Sequence, residues 1–284
     1  MEHDETALSF LEQWAAHIPG LVRTGPRQWE LPAVSDVSFP ESGHAALAEI
    51  EEGSYWFNHR NNVIAAVVRN FPPSGPIFDI GGGNGYVSLG LARAGFDCVV
   101  VEPGSSGAAN AAARGFPVIA APFQDLAIGD ATLGAAGLFD VLEHIEDDAT
   151  ALANIYRVLK PGGRLYLAVP AHQLLWSEED VFAGHFRRYS LSALRRRVEK
   201  AGFTVEYGSY FFAALLAPIF LLRALPARLG LARNHGQENA ARDHALPRSI
   251  AWYFQTSFAR ELKKFSAGKK SPVGASCFLV ARKP

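Results

Sequence analysis

Cysteine and methionine are scarce in these 284 residues, with two of the first and one of the second. Cys98 and Cys277 lie far apart in apolar surroundings and have no CxxC partner, which argues against a disulfide framework or a zinc ribbon. A surplus of one charge is also missing. The 27 Lys and Arg residues nearly balance 28 Asp and Glu, a formal net charge of -1, so no overall field favours nucleic acid or an anionic bilayer. The basic runs at 187–188, 195–197, 263–264 and 269–270 read as solvated helix faces. No apolar run is long enough for a transmembrane helix: residues 211–222 fall short of the ~20 required and contain Pro218. The first residues carry Glu2, Asp4 and Glu5 where a secretory signal would be basic. A cytoplasmic protein without a nucleic-acid partner is expected.

What is present is a chain 49% hydrophobic, enough for one substantial core. Apolar residues recur at helical spacing over 6–18, and Pro19-Gly20 stops them. Residues 23–42 show no sustained period and read as an extended surface connection, followed by a helical pattern over 43–71 with a break near Gly53. From residue 77 onward short apolar runs alternate with helical patterns. Strands are expected at 77–80, 97–101, 117–120, 164–169, 203–207 and 275–281, with a strand end at 138–142 and helices at 86–94, 107–114, 149–159 and 191–201. Such alternation implies right-handed βαβ units and a sheet covered on both faces.

The strongest local signal is Phe78-Asp79-Ile80-Gly81-Gly82-Gly83-Asn84-Gly85-Tyr86, between an expected strand and an expected helix. A dinucleotide site wants G-x-G-x-x-G, and neither register supplies the third glycine, since the counts land on Tyr86 and Ser88. A P-loop wants Lys followed by Ser or Thr, and Tyr86-Val87 stands there. Glu102 ends the next strand, where a carboxylate can accept from ribose hydroxyls, a position used by nicotinamide sites as well.

The spacing Asp79-x-Gly81-x-Gly83-x-Gly85 resembles the first motif of class I S-adenosylmethionine (SAM)-dependent methyltransferases. Phe123-Gln124-Asp125-Leu126, Leu138-Phe139-Asp140-Val141-Leu142-Glu143-His144 and Leu159-Lys160-Pro161-Gly162-Gly163 resemble later segments of that family in the correct order. The resemblance covers residues 77–203 and is closest to bacterial small-molecule and glycan-pathway members. It implies a Rossmann-like sheet of seven strands, mostly parallel with the last antiparallel, and SAM as cofactor leaving as S-adenosylhomocysteine (SAH). The cofactor shell it implies is Asp79, Gly81, Gly82, Gly83, Gly85, Glu102, Pro103, Gln124, Asp125 and Asp140. One departure is the small, glycine-rich stretch 131–137, where many relatives begin the fourth strand with an aromatic-Asp pair.

For the acceptor, His144 at the carboxyl edge of the sheet and His185 in Gly184-His185-Phe186-Arg187-Arg188-Tyr189 are the candidate bases, with Arg188 and Tyr189 as acceptor contacts. Ser190 reads as the N-cap of the next helix. Tyr55-Trp56-Phe57-Asn58-His59-Arg60 resembles an aromatic-Arg segment that folds over the cofactor. Arg60 is then expected at the SAM carboxylate, and Trp56 and Phe57 at the acceptor. No His, Cys, Asp or Glu spacing suggests a metal ligand set, so no metal is expected.

The expected organisation is a helical extension at 1–72, a SAM-binding core at 73–209, a helical insertion at 210–270 and a final core strand at 271–284. The insertion is read as a cap over the acceptor, an oligomer contact or, through 210–225, a peripheral membrane contact. The expected reaction is methylation, at oxygen, of a small-molecule or saccharide/lipid-linked acceptor. A non-catalytic SAM-binding partner protein is the alternative, and an NAD-dependent oxidoreductase a weaker one.

Overall fold

The computed structural model describes residues 2–32, 48, 50–230 and 248–284. Its elements in chain order are α1 (Glu2–Ala15), β1 (Val22–Arg23), β2 (Gln28–Glu30), α2 (Tyr55–Asn70), β3 (Ile77–Ile80), α3 (Tyr86–Arg93), β4 (Cys98–Val101) and α4 (Ser105–Ala113). Then follow β5 (Val118–Ala120), β6 (Leu133–Phe139), α5 (Asp148–Val158), β7 (Leu159–Pro170), α6 (Glu178–Phe182), α7 (Leu191–Lys200) and β8 (Thr204–Phe211). A helical run comprising α8 (Leu216–Ile219), a π-turn (Phe220–Ala224) and α9 (Leu225–Arg228) leads toward α10 (Arg248–Ser266) and β9 (Ser276–Arg282).

One sheet runs in the order β1-β2-β5-β4-β3-β6-β7-β9-β8. The strands from β2 to β7 pair in parallel, while β9 lies antiparallel to both β7 and β8. Every residue of β3, β4 and β6 is buried, as parallel strands covered on both faces require. One face packs against α1, α5 and α7, and the other against α2, α3, α4 and α10.

Three expectations are corrected. The sheet has nine strands, because β1 and β2 extend its edge through a parallel pairing of Gln28–Glu30 with Val118–Ala120. Those strands lie within the stretch read as an irregular connection. Two and three residues are too few to show a period. The fourth strand is Leu133–Phe139, so it ends at 139, before most of the strand end expected over 138–142. Its glycines answer to packing: a Cβ on Gly137 would lie 2.4 Å from the Phe139 ring, and one on Gly134 would lie 3.1 Å from the Ser74 carbonyl oxygen.

The helix expected over 43–71 is Tyr55–Asn70, with the Ser54 hydroxyl accepting from the Trp56 and Phe57 amides. Residues 43–47 and 49 of that stretch, and 33–42 before it, lie outside the described residues.

In the insertion, α10 packs on α2 through Phe254, Phe258 and Phe265, all buried. Tyr55 stacks on Phe258 with centroids 6.0 Å apart, and the His59 ring lies 4.1 Å from the Phe258 ring and parallel to it. Glu261 fixes the joint: its carboxylate accepts from the Phe212 amide at 2.9 Å and the Ala213 amide at 3.0 Å, and shares a 2.7 Å bond with His59 Nε2. Phe212 adopts a left-handed backbone (φ 62°) that a phenylalanine rarely takes, and these contacts hold it there. Pro218, which has no amide to donate, precedes the π-turn at Phe220–Ala224. Among the described residues no helix is long and apolar enough to cross a membrane.

Candidate active site

The chain turns sharply after β3. Gly81 donates to the Val101 carbonyl at 2.7 Å, and Gly81, Gly83 and Gly85 take φ values of 69°, 53° and 73°. Glycine is required at Gly81, where a Cβ would sit 2.8 Å from Val141 Cγ2, and at Gly85, where it would meet Ala111 at 3.1 Å. Gly82 passes directly over the Asp79 carboxyl, 3.0 Å from where its own Cβ would be.

Asp79 is buried and accepts from Ser88 Oγ at 2.7 Å. Burial raises its pKa to about 6; the Ser88 hydrogen bond and the Arg60 charge oppose that shift, while Glu102 adds to it. Glu102, at the end of β4, ties the loop to the next turn. One carboxylate oxygen accepts from Gly83 N at 2.8 Å and the other from Gly104 N at 2.7 Å. Burial raises this carboxyl too, against those two amides. A carboxylate at a strand end is the group type that accepts from ribose hydroxyls. Pro103 follows, half-buried, and the single 3-10 turn Phe123–Asp125 after β5 carries Gln124 exposed and Asp125 half-buried.

Arg60 reaches this region from the buried side of α2. Its Nη1 donates to Asp140 Oδ2 at 2.5 Å, and its guanidinium carbon lies 5.0 Å from the centroids of both Trp56 and Phe57. Trp56 in turn stacks on Phe212, centroids 5.3 Å apart. Asp140 has a left-handed backbone (φ 58°), which directs the chain from β6 into the 3-10 turn Leu142–His144. The buried Nε of Arg60 has no hydrogen-bond partner among the described residues, a donor left for an anionic ligand group. A cradle without Cβ atoms, a nucleoside-facing acid and an orphaned guanidinium donor fit SAM.

Beyond β6, the rings of His144 and His185 meet edge to face with centroids 4.6 Å apart. Burial, and next the His185 ring, push His144 down to about 4, so its imidazole is neutral at physiological pH. His185 Nδ1 bonds Asp180 Oδ1 at 2.8 Å, and Arg188 Nε donates to the same oxygen at 2.7 Å. Burial alone would raise Asp180, but these two donors prevail and hold it below the usual range. Tyr189 is 2% exposed, and its hydroxyl donates to Asp148 at 2.8 Å, so it braces the loop from behind. Glu143 lies fully buried between the two histidines and Asp140.

The structure thus brings together Asp79, Gly81, Gly82, Gly83, Gly85, Glu102, Arg60 and Asp140, with His144 on the adjoining turn and His185 on the loop after α6 that meets it. Sequence reasoning missed Asp180, which orients His185 and Arg188. Its signal was the Ser177-x-x-Asp180 capping box that starts α6.

This sheet order, with a glycine turn after β3 and a buried acid ending β4, defines the class I SAM-binding methyltransferase fold. The "Methyltransferase domain" family matches residues 55–207, and the chain belongs to it, with SAM as cofactor. It is 26% identical over 174 residues to a protein of Mycolicibacterium smegmatis named "Probable S-adenosylmethionine-dependent methyltransferase", covering 60% of this chain and 67% of that one. It is also 26% identical over 145 residues to the demethylmenaquinone methyltransferase of Mycobacterium tuberculosis, covering 51% of this chain and 60% of the relative's length. A solved SAM-dependent methyltransferase of Thermotoga maritima superposes with a TM-score of 0.54 at 20% identity, over 85% of this chain and 97% of that one.

Proposed function

We propose that the chain methylates an oxygen of a small apolar acceptor or of a saccharide/lipid-linked unit, at the carboxyl edge of the sheet. The observation that carries this reading is the pair of imidazoles that meet just beyond β6, His144 on the turn that follows the Asp140 holding Arg60 and His185 on the loop after α6. Asp79, Gly81, Gly82, Gly83, Gly85, Glu102, Pro103, Gln124 and Asp125 hold the nucleoside and amino-acid parts of SAM, and Arg60, kept in place by Asp140, takes its carboxylate. SAM supplies a sulfonium-activated methyl group and leaves as SAH. His144 and His185 are the groups placed to accept the hydroxyl proton of the acceptor. Trp56 and Phe57 form an apolar wall that excludes water, and Arg188 binds an acceptor oxygen, with Tyr189 fixing its loop.

An apolar, lipid-borne acceptor is supported by the name of the demethylmenaquinone relative and by the surface beside the site. Leu174, Phe182, Leu221 and Leu222 are 58%, 67%, 56% and 75% exposed, and their elements are joined by Arg228 donating to the Leu174 carbonyl and by the Arg223–Glu179 pair. In this reading the insertion docks peripherally on a membrane through 210–225.

The test is calorimetric titration with SAH and, separately, NADH, with Glu102→Ala as control, followed by an acceptor screen with labelled SAM. Binding of SAH alone, lost in the variant, and label transfer to a hydroxylated lipid or saccharide are expected. Folded protein that binds no SAH, with or without acceptor, would sink the reading.

A further inference from the structure

Glu143 is fully buried, and neither carboxylate oxygen has a hydrogen-bond partner in another described residue. The carboxylates around it are already matched. Asp140 has Arg60, and Asp180 has Arg188 and His185. The Glu143 carboxyl has no ion-pair or hydrogen-bond partner of its own among the described residues, which is costly unless a ligand supplies one.

The side chains facing Glu143 are ones that bind metals. A Glu143 oxygen, a His144 nitrogen and a His185 nitrogen lie within 4.8 Å of one another. His185 uses Nδ1 for Asp180, leaving Nε2 as its ligand atom; a carboxylate behind an imidazole is the arrangement that fixes tautomer and ring direction at metal centres. His144 stands on the same turn as Glu143 and meets the His185 ring edge to face. The loop carrying His185 is pinned to the turn carrying Glu143 by the Phe186 amide, which donates to the Glu143 carbonyl at 2.8 Å. Linear spacing hides the group because His185 lies far downstream of Glu143-His144, which is why no metal was expected from the sequence.

We propose that Glu143, His144 and His185 bind one divalent first-row transition-metal ion. Two imidazoles and one carboxylate suit zinc, iron or manganese better than magnesium or calcium, and three protein ligands leave positions open. With the ion bound, the His144 and His185 lone pairs ligate it and the ion takes over from them as the group that activates the acceptor hydroxyl; that an open position takes the acceptor oxygen rests on the methyl-transfer reading above, and the binding of the ion does not.

The experiment is titration of the chelator-treated full chain with Co2+, read by visible absorption and by the shift in melting temperature, with Zn2+ as competitor. The result expected is one Co2+ per chain, displaced by Zn2+, with a metal-dependent rise in melting temperature that needs no variant to interpret. Affinity should fall beyond ~100-fold in Glu143→Gln and in His185→Asn, and by ~10–100-fold in Asp180→Asn, where only orientation is lost. Cooperative melting of each variant establishes that it is folded. A folded chain that binds neither Co2+, Zn2+ nor Mn2+, or that binds Co2+ unchanged in both ligand variants, overturns the proposal. SAH titration of the same sample separates the two readings. SAH bound without metal removes this site alone, and metal bound without SAH removes the methyl-transfer reading alone.

Discussion

Replacing Asp79 by Asn removes a buried carboxyl while keeping an oxygen for the Ser88 hydroxyl to donate to. The carboxyl titrates at about 6 in the folded chain against an ordinary 3.8, and each pKa unit corresponds to ~1.4 kcal/mol. Below 3.8 both states are protonated and Asp79 contributes nothing. Between 3.8 and about 6 the unfolded chain ionises while the folded chain keeps its proton, so stability falls as pH rises, and above about 6 the whole penalty of about 3 kcal/mol stands. Roughly 2 kcal/mol of it develops between about pH 4.5 and 7.5. Urea melts of both proteins at those two pH values should show the variant gaining on the parent by that amount as pH rises. The comparison of two proteins cancels the opposite trend from His144, whose lowered pKa removes stability as pH falls from 6.5 toward about 4. A difference between parent and variant that does not change with pH would refute the assignment. The same variant should bind SAH more weakly, so that stability is gained where function is lost.

Glu102→Ala should weaken SAH by ~100-fold or more, the equivalent of two charge-assisted hydrogen bonds at ~1.5–3 kcal/mol each, seen by calorimetry as a raised Kd. Glu261→Ala leaves the Phe212 and Ala213 amides and His59 without their shared acceptor. It should cost about 2–4 kcal/mol in chemical denaturation, with hydrogen exchange rising first along α10. Leu221→Asp with Leu222→Asp should abolish liposome binding and leave SAH affinity unchanged; persistent liposome binding would move the docking surface elsewhere. Since His144 is neutral down to about 4, the kcat/KM profile should show no limb from it between about pH 5 and 8, and a limb there that vanishes in His144→Gln would contradict the burial argument.

The central sheet was legible because its buried strands are mostly short apolar runs, β3 ended by Gly81 and β4 by Glu102, and the helices between them keep their period. Leu133–Phe139 was harder to read, because alanine and glycine carry little β preference and their reason lies in Ser74 and Phe139, distant or same-face neighbours. The edge strands β1 and β2 exist only through their pairing with β5. At the site, the glycine spacing and Glu102 were visible as a motif, whereas Glu143 and Asp180 acquire meaning only when the loop after α6 folds back onto the turn after β6. Tyr189 shows the reverse case: its motif singles it out as an acceptor contact, but its hydroxyl is used by Asp148.

The stack running from Arg60 through Trp56 to Phe212, and on to Glu261, crosses three separate stretches of chain. Evolution toward a new acceptor would naturally work on the insertion, where Phe212 sits. Yet any exchange that changes the Phe212 ring or its unusual backbone also shifts the plate on which the cofactor-side guanidinium rests. Insertions transplanted between relatives should therefore arrive with a matching Tyr55–Asn70 helix, and chimeras that mix the two should lose cofactor affinity before they acquire a new specificity.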